Sequence, residues 1–253
     1  MRKAPRPTRC SRSLGQRSKG SRARGNTICA IVLLAIASAL YTTICLVLSS
    51  IDIPSALIEQ RIGASTHDAP AVPRGTIGLL TVENPGIKTP VMQPGADTPA
   101  DWYLDHDAWG NPSVLGCPYL DARCDIDGTH LLVYGHRAAG AAASFEALSP
   151  AYDPDAFADI GRAVIELTDG THMEFKPIGA MRVDQSYQAI QRLGFEDSGD
   201  VLSWLLAMRS DQSVTDSAWT DIPSDPTKIL TLVTCSERQP GRRGRTIVLF
   251  AQT

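Results

Sequence analysis

Lys228-Ile229-Leu230-Thr231-Leu232-Val233-Thr234-Cys235 is an apolar, β-branched run that ends on a thiol. Such a run is the length and composition of a strand buried on both faces. A second stretch, Leu131-Leu132-Val133-Tyr134-Gly135-His136, has the same form and ends on an imidazole. A third, Gly244-Arg245-Thr246-Ile247-Val248-Leu249, opens with a guanidinium. A reactive group at a strand end sits where a cleft can open. Taken singly, each has an ordinary structural explanation: a satisfied histidine, a small buried thiol or a solvated arginine.

Outward from these runs the texture stays β-rich. Thr76–Val82, Lys88–Met92, His130–Tyr134, Ala163–Thr168, His172–Val183, Lys228–Thr234 and Thr246–Gln252 read as strands separated by Gly, Pro, Asn and Asp. Asp169-Gly170 between two such runs reads as a tight hairpin turn, which needs positive φ. One helix is expected over 196–209. Val201, Trp204, Leu205 and Met208 recur at helical spacing behind Glu196, Asp197 and Asp200, acids that suit a helix N-terminus. Many short strands without βα alternation point to a β-barrel with helical insertions.

The chain has 253 residues, 43% hydrophobic and 20% charged, which excludes a collagen-like or wholly disordered polymer. Its net charge of −3 hides two unlike parts. Residues 1–25 hold nine Lys/Arg and no acid, so the remainder carries 15 bases against 27 acids, a net of −12. An acidic main body argues against a nucleic-acid partner. Residues 28–51 are dominated by Ile, Leu, Val and Ala without a charge, long enough to cross a hydrocarbon layer about 30 Å thick. The basic flank places the N-terminus in the cytoplasm and residues 52–253 outside. Ala37-Ser38-Ala39 resembles a signal-peptide cleavage site, but the apolar run continues beyond it, which favours an uncleaved anchor. The expected organisation is a cytoplasmic tail (1–26), a transmembrane signal anchor (27–51), a stalk (52–75) and a catalytic domain (76–253).

Of six cysteines, only Cys117, Cys124 and Cys235 fall in the outer part. In an oxidising compartment an odd number suggests one pair and one free thiol. Cys117 and Cys124 are close enough in sequence to bridge a short loop. Two free thiols remain the alternative. Cys235, left over, is an accident, a dimer bridge or a nucleophile. No metal is indicated: the histidines lack His-Glu-x-x-His spacing, and the outer cysteines form no Cys-x-x-Cys pair. No other cofactor is implied.

Tyr134-Gly135-His136, 99 residues before Cys235 in Thr231-Leu232-Val233-Thr234-Cys235, with Arg245 ten residues further on, resembles the sortase family. The resemblance runs over about residues 76–252. Ile77–Val82 and Ile87–Gln93 look like the family's opening strands, and Asp101–Asp107, Gly110 and Tyr119-Leu120-Asp121 look like the approach to the catalytic histidine. A long helix ahead of the cysteine strand, here 196–209, is similar to class B. The resemblance implies a mainly β fold, an eight-stranded sortase-like barrel, preceded here by a transmembrane helix. It implies a transpeptidase in which Cys235 attacks a sorting signal, His136 moves protons and Arg245 holds the oxyanion, with Arg243 as the other candidate. Thr234 is a candidate substrate-positioning residue. The implied partners are secreted proteins bearing C-terminal sorting signals and an amine acceptor, a wall-precursor amine or a pilin lysine, met at the membrane. Papain-like enzymes usually carry Cys before His, and L,D-transpeptidases carry both in one motif. A hydrolytic cysteine peptidase and a catalytically silent surface domain are the alternative functions.

Overall fold

The computed structural model describes residues 72–138, 144–214, 216–237 and 241–253. The expected tail and transmembrane anchor, and all but the end of the stalk, lie outside the described residues. Among those described, no helix is long and apolar enough to cross a membrane.

Nine strands follow one another as β1 (Thr76–Val82), β2 (Ile87–Met92), β3 (Tyr119–Leu120), β4 (His130–Tyr134), β5 (Ala163–Leu167), β6 (His172–Asp184), β7 (Ser217–Trp219), β8 (Ile229–Cys235) and β9 (Gly244–Gln252). Their lateral order is β5-β1-β2-β3-β4-β8-β9-β6-β7, and β5 also pairs with β6. That extra pairing closes eight strands into a barrel and leaves β7 as an addition on β6. Strand β6 is long enough to serve three neighbours, β9 along one edge and β5 then β7 along the other, and its register to β9 shifts between Pro177 and Gly179, where proline cannot donate to the ladder.

The parallel pairing of β4 with β8 decides where chemistry can occur. Parallel neighbours end at the same edge of a sheet, and β9, antiparallel to β8, begins there. Three chain segments far apart in sequence therefore meet at one rim. β4 and β8 are buried along nearly their whole length, as their unbroken apolar runs require.

The helix runs over Ser198–Arg209 (α2, following a short α1 at Pro154–Ala158). Asp197 caps α2 by accepting from the Asp200 N–H at 2.9 Å. The buried face is Val201, Trp204, Leu205 and Met208, the residues that the spacing predicts. Two expectations needed correction. The Asp169-Gly170 connection is a three-residue loop with Leu167 bonded to Thr171, and only its last member, Gly170, takes the glycine-favouring φ of +88°. Strands β3 and β7 were not anticipated, since two or three residues carry no periodicity.

His130 is a structural histidine. It is buried against Trp204, its Nδ1–H donates to the Arg192 carbonyl at 2.7 Å, and its Nε2 accepts from Thr231 Oγ1 at 2.8 Å. Burial lowers its pKa from 6.5 to about 4, against the raising effects of the Arg192 bond and Asp121. The unfolded chain therefore binds the proton first. Stability is complete above about pH 6.5 and declines as pH falls toward 4, by roughly 3 kcal/mol in total. Urea unfolding between pH 4 and 7.5 should show this loss. A His130→Gln variant should be weaker at pH 7 and show a flatter profile.

Candidate active site

The register joins the three sequence candidates. Cys235, the last residue of β8, lies directly opposite Arg245 on β9. On the other side, Tyr134 of β4 pairs with Val233, and Gly135 N–H donates to the Val233 carbonyl at 3.0 Å. Carried two residues on, that register sets His136 level with Cys235. Register partners on neighbouring strands point to the same face, so thiol and guanidinium share one side, and His136 follows two residues after the last pairing of β4 with β8, at the same rim. All three residues are partly exposed.

His136 is oriented by a backbone acceptor. Its Nε2 lies 2.7 Å from the Leu104 carbonyl, which can only accept, so Nε2 carries a proton and Nδ1 is left for proton exchange. Leu104 closes the short 3₁₀ turn Trp102–Leu104, in the stretch that the sequence marks as leading to the histidine. Gly135 is required by packing: an added Cβ would lie 2.6 Å from the Phe145 ring. Gly135→Ala should cost about 1–3 kcal/mol by overpacking. Because the strain falls beside His136, turnover should drop more than the folded fraction does, which paired activity and unfolding measurements would reveal.

The two arginines differ in commitment. Arg243 spends the Nε/Nη2 edge of its guanidinium on Asp184, at 2.8 and 2.7 Å, and this pair holds the Asp184 carboxyl well below its usual range. Arg245 donates from Nη1 to the Arg242 and Gly244 carbonyls and from Nη2 to Gln185 Oε1, at 3.0–3.1 Å. Among the described residues these bonds leave its Nε–H and one Nη2–H without a protein acceptor. A planar, partly exposed guanidinium with unspent donors suits a developing oxyanion.

Thr234 is not placed as expected. It is 3% exposed, its side chain alternates to the face opposite Cys235, and its hydroxyl has no hydrogen-bond partner among the described residues. It cannot touch a ligand lying over the thiol. Cys117 and Cys124 are free and do not pair. Cys124 belongs to the main core, whereas Cys117 packs with Met92, Tyr103 and Tyr119. The two therefore belong to separate hydrophobic clusters, with β3 between them in sequence. Burial pushes their thiols up to about 12 and about 11, so both stay protonated at neutral pH. Of the three described thiols, Cys235 alone is partly exposed. No cluster of metal-ligating side chains occurs among the described residues.

Sequence reasoning missed the Leu104 carbonyl and Gln185, because a backbone acceptor and a long-range amide leave no motif. It also passed over Arg137, whose position directly after His136 was a usable signal.

No family model and no curated protein matches the chain. Solved structures do. The sortase B of Clostridium perfringens superposes with a TM-score of 0.57 at 20% identity, over 72% of this chain and 96% of that one. A Staphylococcus aureus sortase B–substrate complex gives 0.58 at 17%, over 72% and 81%. A sortase B complexed with triglycine gives 0.58 at 17%, over 72% and 82%. The fold is that of the class B sortases.

Proposed function

We propose that this chain is a membrane-anchored cysteine transpeptidase of the sortase type, acting on secreted proteins that carry a C-terminal sorting signal. The observation that supports it most is the meeting of three adjacent strand ends at one rim, with Cys235 opposite Arg245 and His136 two residues past the end of β4. The same fold in enzymes captured with substrate and with triglycine supports a peptide donor and an amine acceptor here.

The chemistry follows from the groups. The Cys235 proton passes to His136 Nδ1, and the thiolate attacks the scissile carbonyl carbon. As the S–C bond forms, the carbonyl π pair moves to oxygen, where the free edge of Arg245 meets it. On collapse the C–N bond breaks, and the departing amine takes its electron pair and the proton from Nδ1. An incoming amine then attacks the thioester, gives its proton to Nδ1 and releases the thiolate. Residues 27–51 would hold this site outside the bilayer, near an exported substrate and a wall-precursor or pilin amine.

The test is to incubate the full-length chain with labelled sorting peptides of the LPxTG and NPxTN types, with and without triglycine. The expected result is Cys235-dependent cleavage, a thioester on Cys235 and a ligated product when amine is present. Cleavage that survives loss of the thiol, or only hydrolysis at every amine concentration, would overturn the reading.

A further inference from the structure

One short segment touches two of the three strand ends that carry the candidate site and reaches the third through Arg137. In Ser144–Ser149 the Phe145 N–H donates to the His136 carbonyl at 2.9 Å, and the Phe145 ring covers Gly135. Ser144 Oγ donates to the Ala138 carbonyl at 2.8 Å. At the other end, the Ser149 carbonyl accepts from Thr246 Oγ1 at 2.7 Å. Between them, Glu146 accepts from Arg137 Nε at 2.9 Å, and Arg137 Nη1 donates to the Ser236 carbonyl.

The residues engaged are Arg137, Ser236 and Thr246, each the successor of a site residue. Thr246, inside β9, points by strand alternation to the face opposite Arg245. Arg137 is the charged link in this clasp. Its side chain is only 15% exposed and that of Glu146 21%, so the pair is largely shielded from solvent. A guanidinium held by a carboxylate is aimed in one direction, and its remaining donors lock the peptide that follows Cys235.

We infer that Arg137 is a positioning residue: through the Ser236 carbonyl, and held by Glu146, it keeps Cys235 level with His136. This rests on the reading that those two side chains are the reacting pair. A shift of about 1 Å between them would be enough to cost up to about a hundredfold in rate.

The test uses the full-length chain. Replacing Arg137→Met together with Glu146→Leu removes both charges of this ion pair. Peptide cleavage should lose about 10- to 100-fold in kcat with KM within about threefold, and Arg137→Lys should fall between, since an ammonium cannot serve carboxylate and carbonyl in one plane. The discriminating readout is iodoacetamide labelling of Cys235, followed by mass spectrometry, which needs no turnover. His136→Ala should change the labelling rate about fivefold or more in the parent chain and less than about twofold once Arg137 is replaced. Equal effects of His136→Ala in both backgrounds, or an unchanged kcat, would overturn the proposal. If the apolar pair fails to fold, the same cycle is read on Arg137→Lys. A non-additive labelling cycle without cleavage of any sorting peptide would keep the clasp and reject the transpeptidase reading; normal transpeptidation with an additive cycle would do the reverse.

Discussion

Cys235→Ala should reduce cleavage of a sorting peptide by at least about 10⁴-fold. No other described thiol can replace it: Cys117 and Cys124 are buried and protonated at neutral pH. The loss should be chemical rather than structural. Cys235 is the final residue of β8 and only partly covered, so truncation removes one sulfur from a rim and leaves the buried ladder Ile229–Thr234 intact. Stability should change by less than about 1 kcal/mol. Chromatographic assay of peptide products beside a denaturation curve separates the two effects. Retained cleavage in a folded variant would remove Cys235 as nucleophile.

Arg245→Lys should lower kcat by about 10²–10³-fold, the usual cost of losing an oxyanion donor. Lysine keeps the charge but not the planar edge that Nε and Nη2 present, and it cannot also hold the Arg242 and Gly244 carbonyls and Gln185. The matched control is Arg243→Lys. That guanidinium already spends its fork on exposed Asp184, so the change should leave turnover within about threefold of the parent. Steady-state kinetics on the two variants decide between the arginines, and the reverse ranking would transfer the oxyanion role to Arg243.

The legible part of this fold was its long strands and its helix. β1, β4, β6, β8 and β9 are runs of five or more residues whose composition suits a pleated, buried surface, and their bounds fall within two residues of expectation. Trp204 and its helical neighbours repeat every three or four positions, and that face is the one buried. The short β3 and β7 owe their extension to neighbours already in place, so nothing local marks them. The Asp-Gly connection shows the limit of turn reading: the dipeptide announces a hairpin, but the strand register sets the loop length.

The site divides the same way. Residue type and spacing along the chain were enough to select His136, Cys235 and Arg245, because nucleophile, base and oxyanion donor each demand particular side-chain chemistry. Local order could not say which thiols lie buried, that Thr234 turns away from the cleft, that Asp184 occupies Arg243, or that Leu104 orients the imidazole. Those outcomes depend on which strands become neighbours, and pairing β4 parallel to β8 is a long-range choice stabilised by the whole barrel rather than by any segment within it.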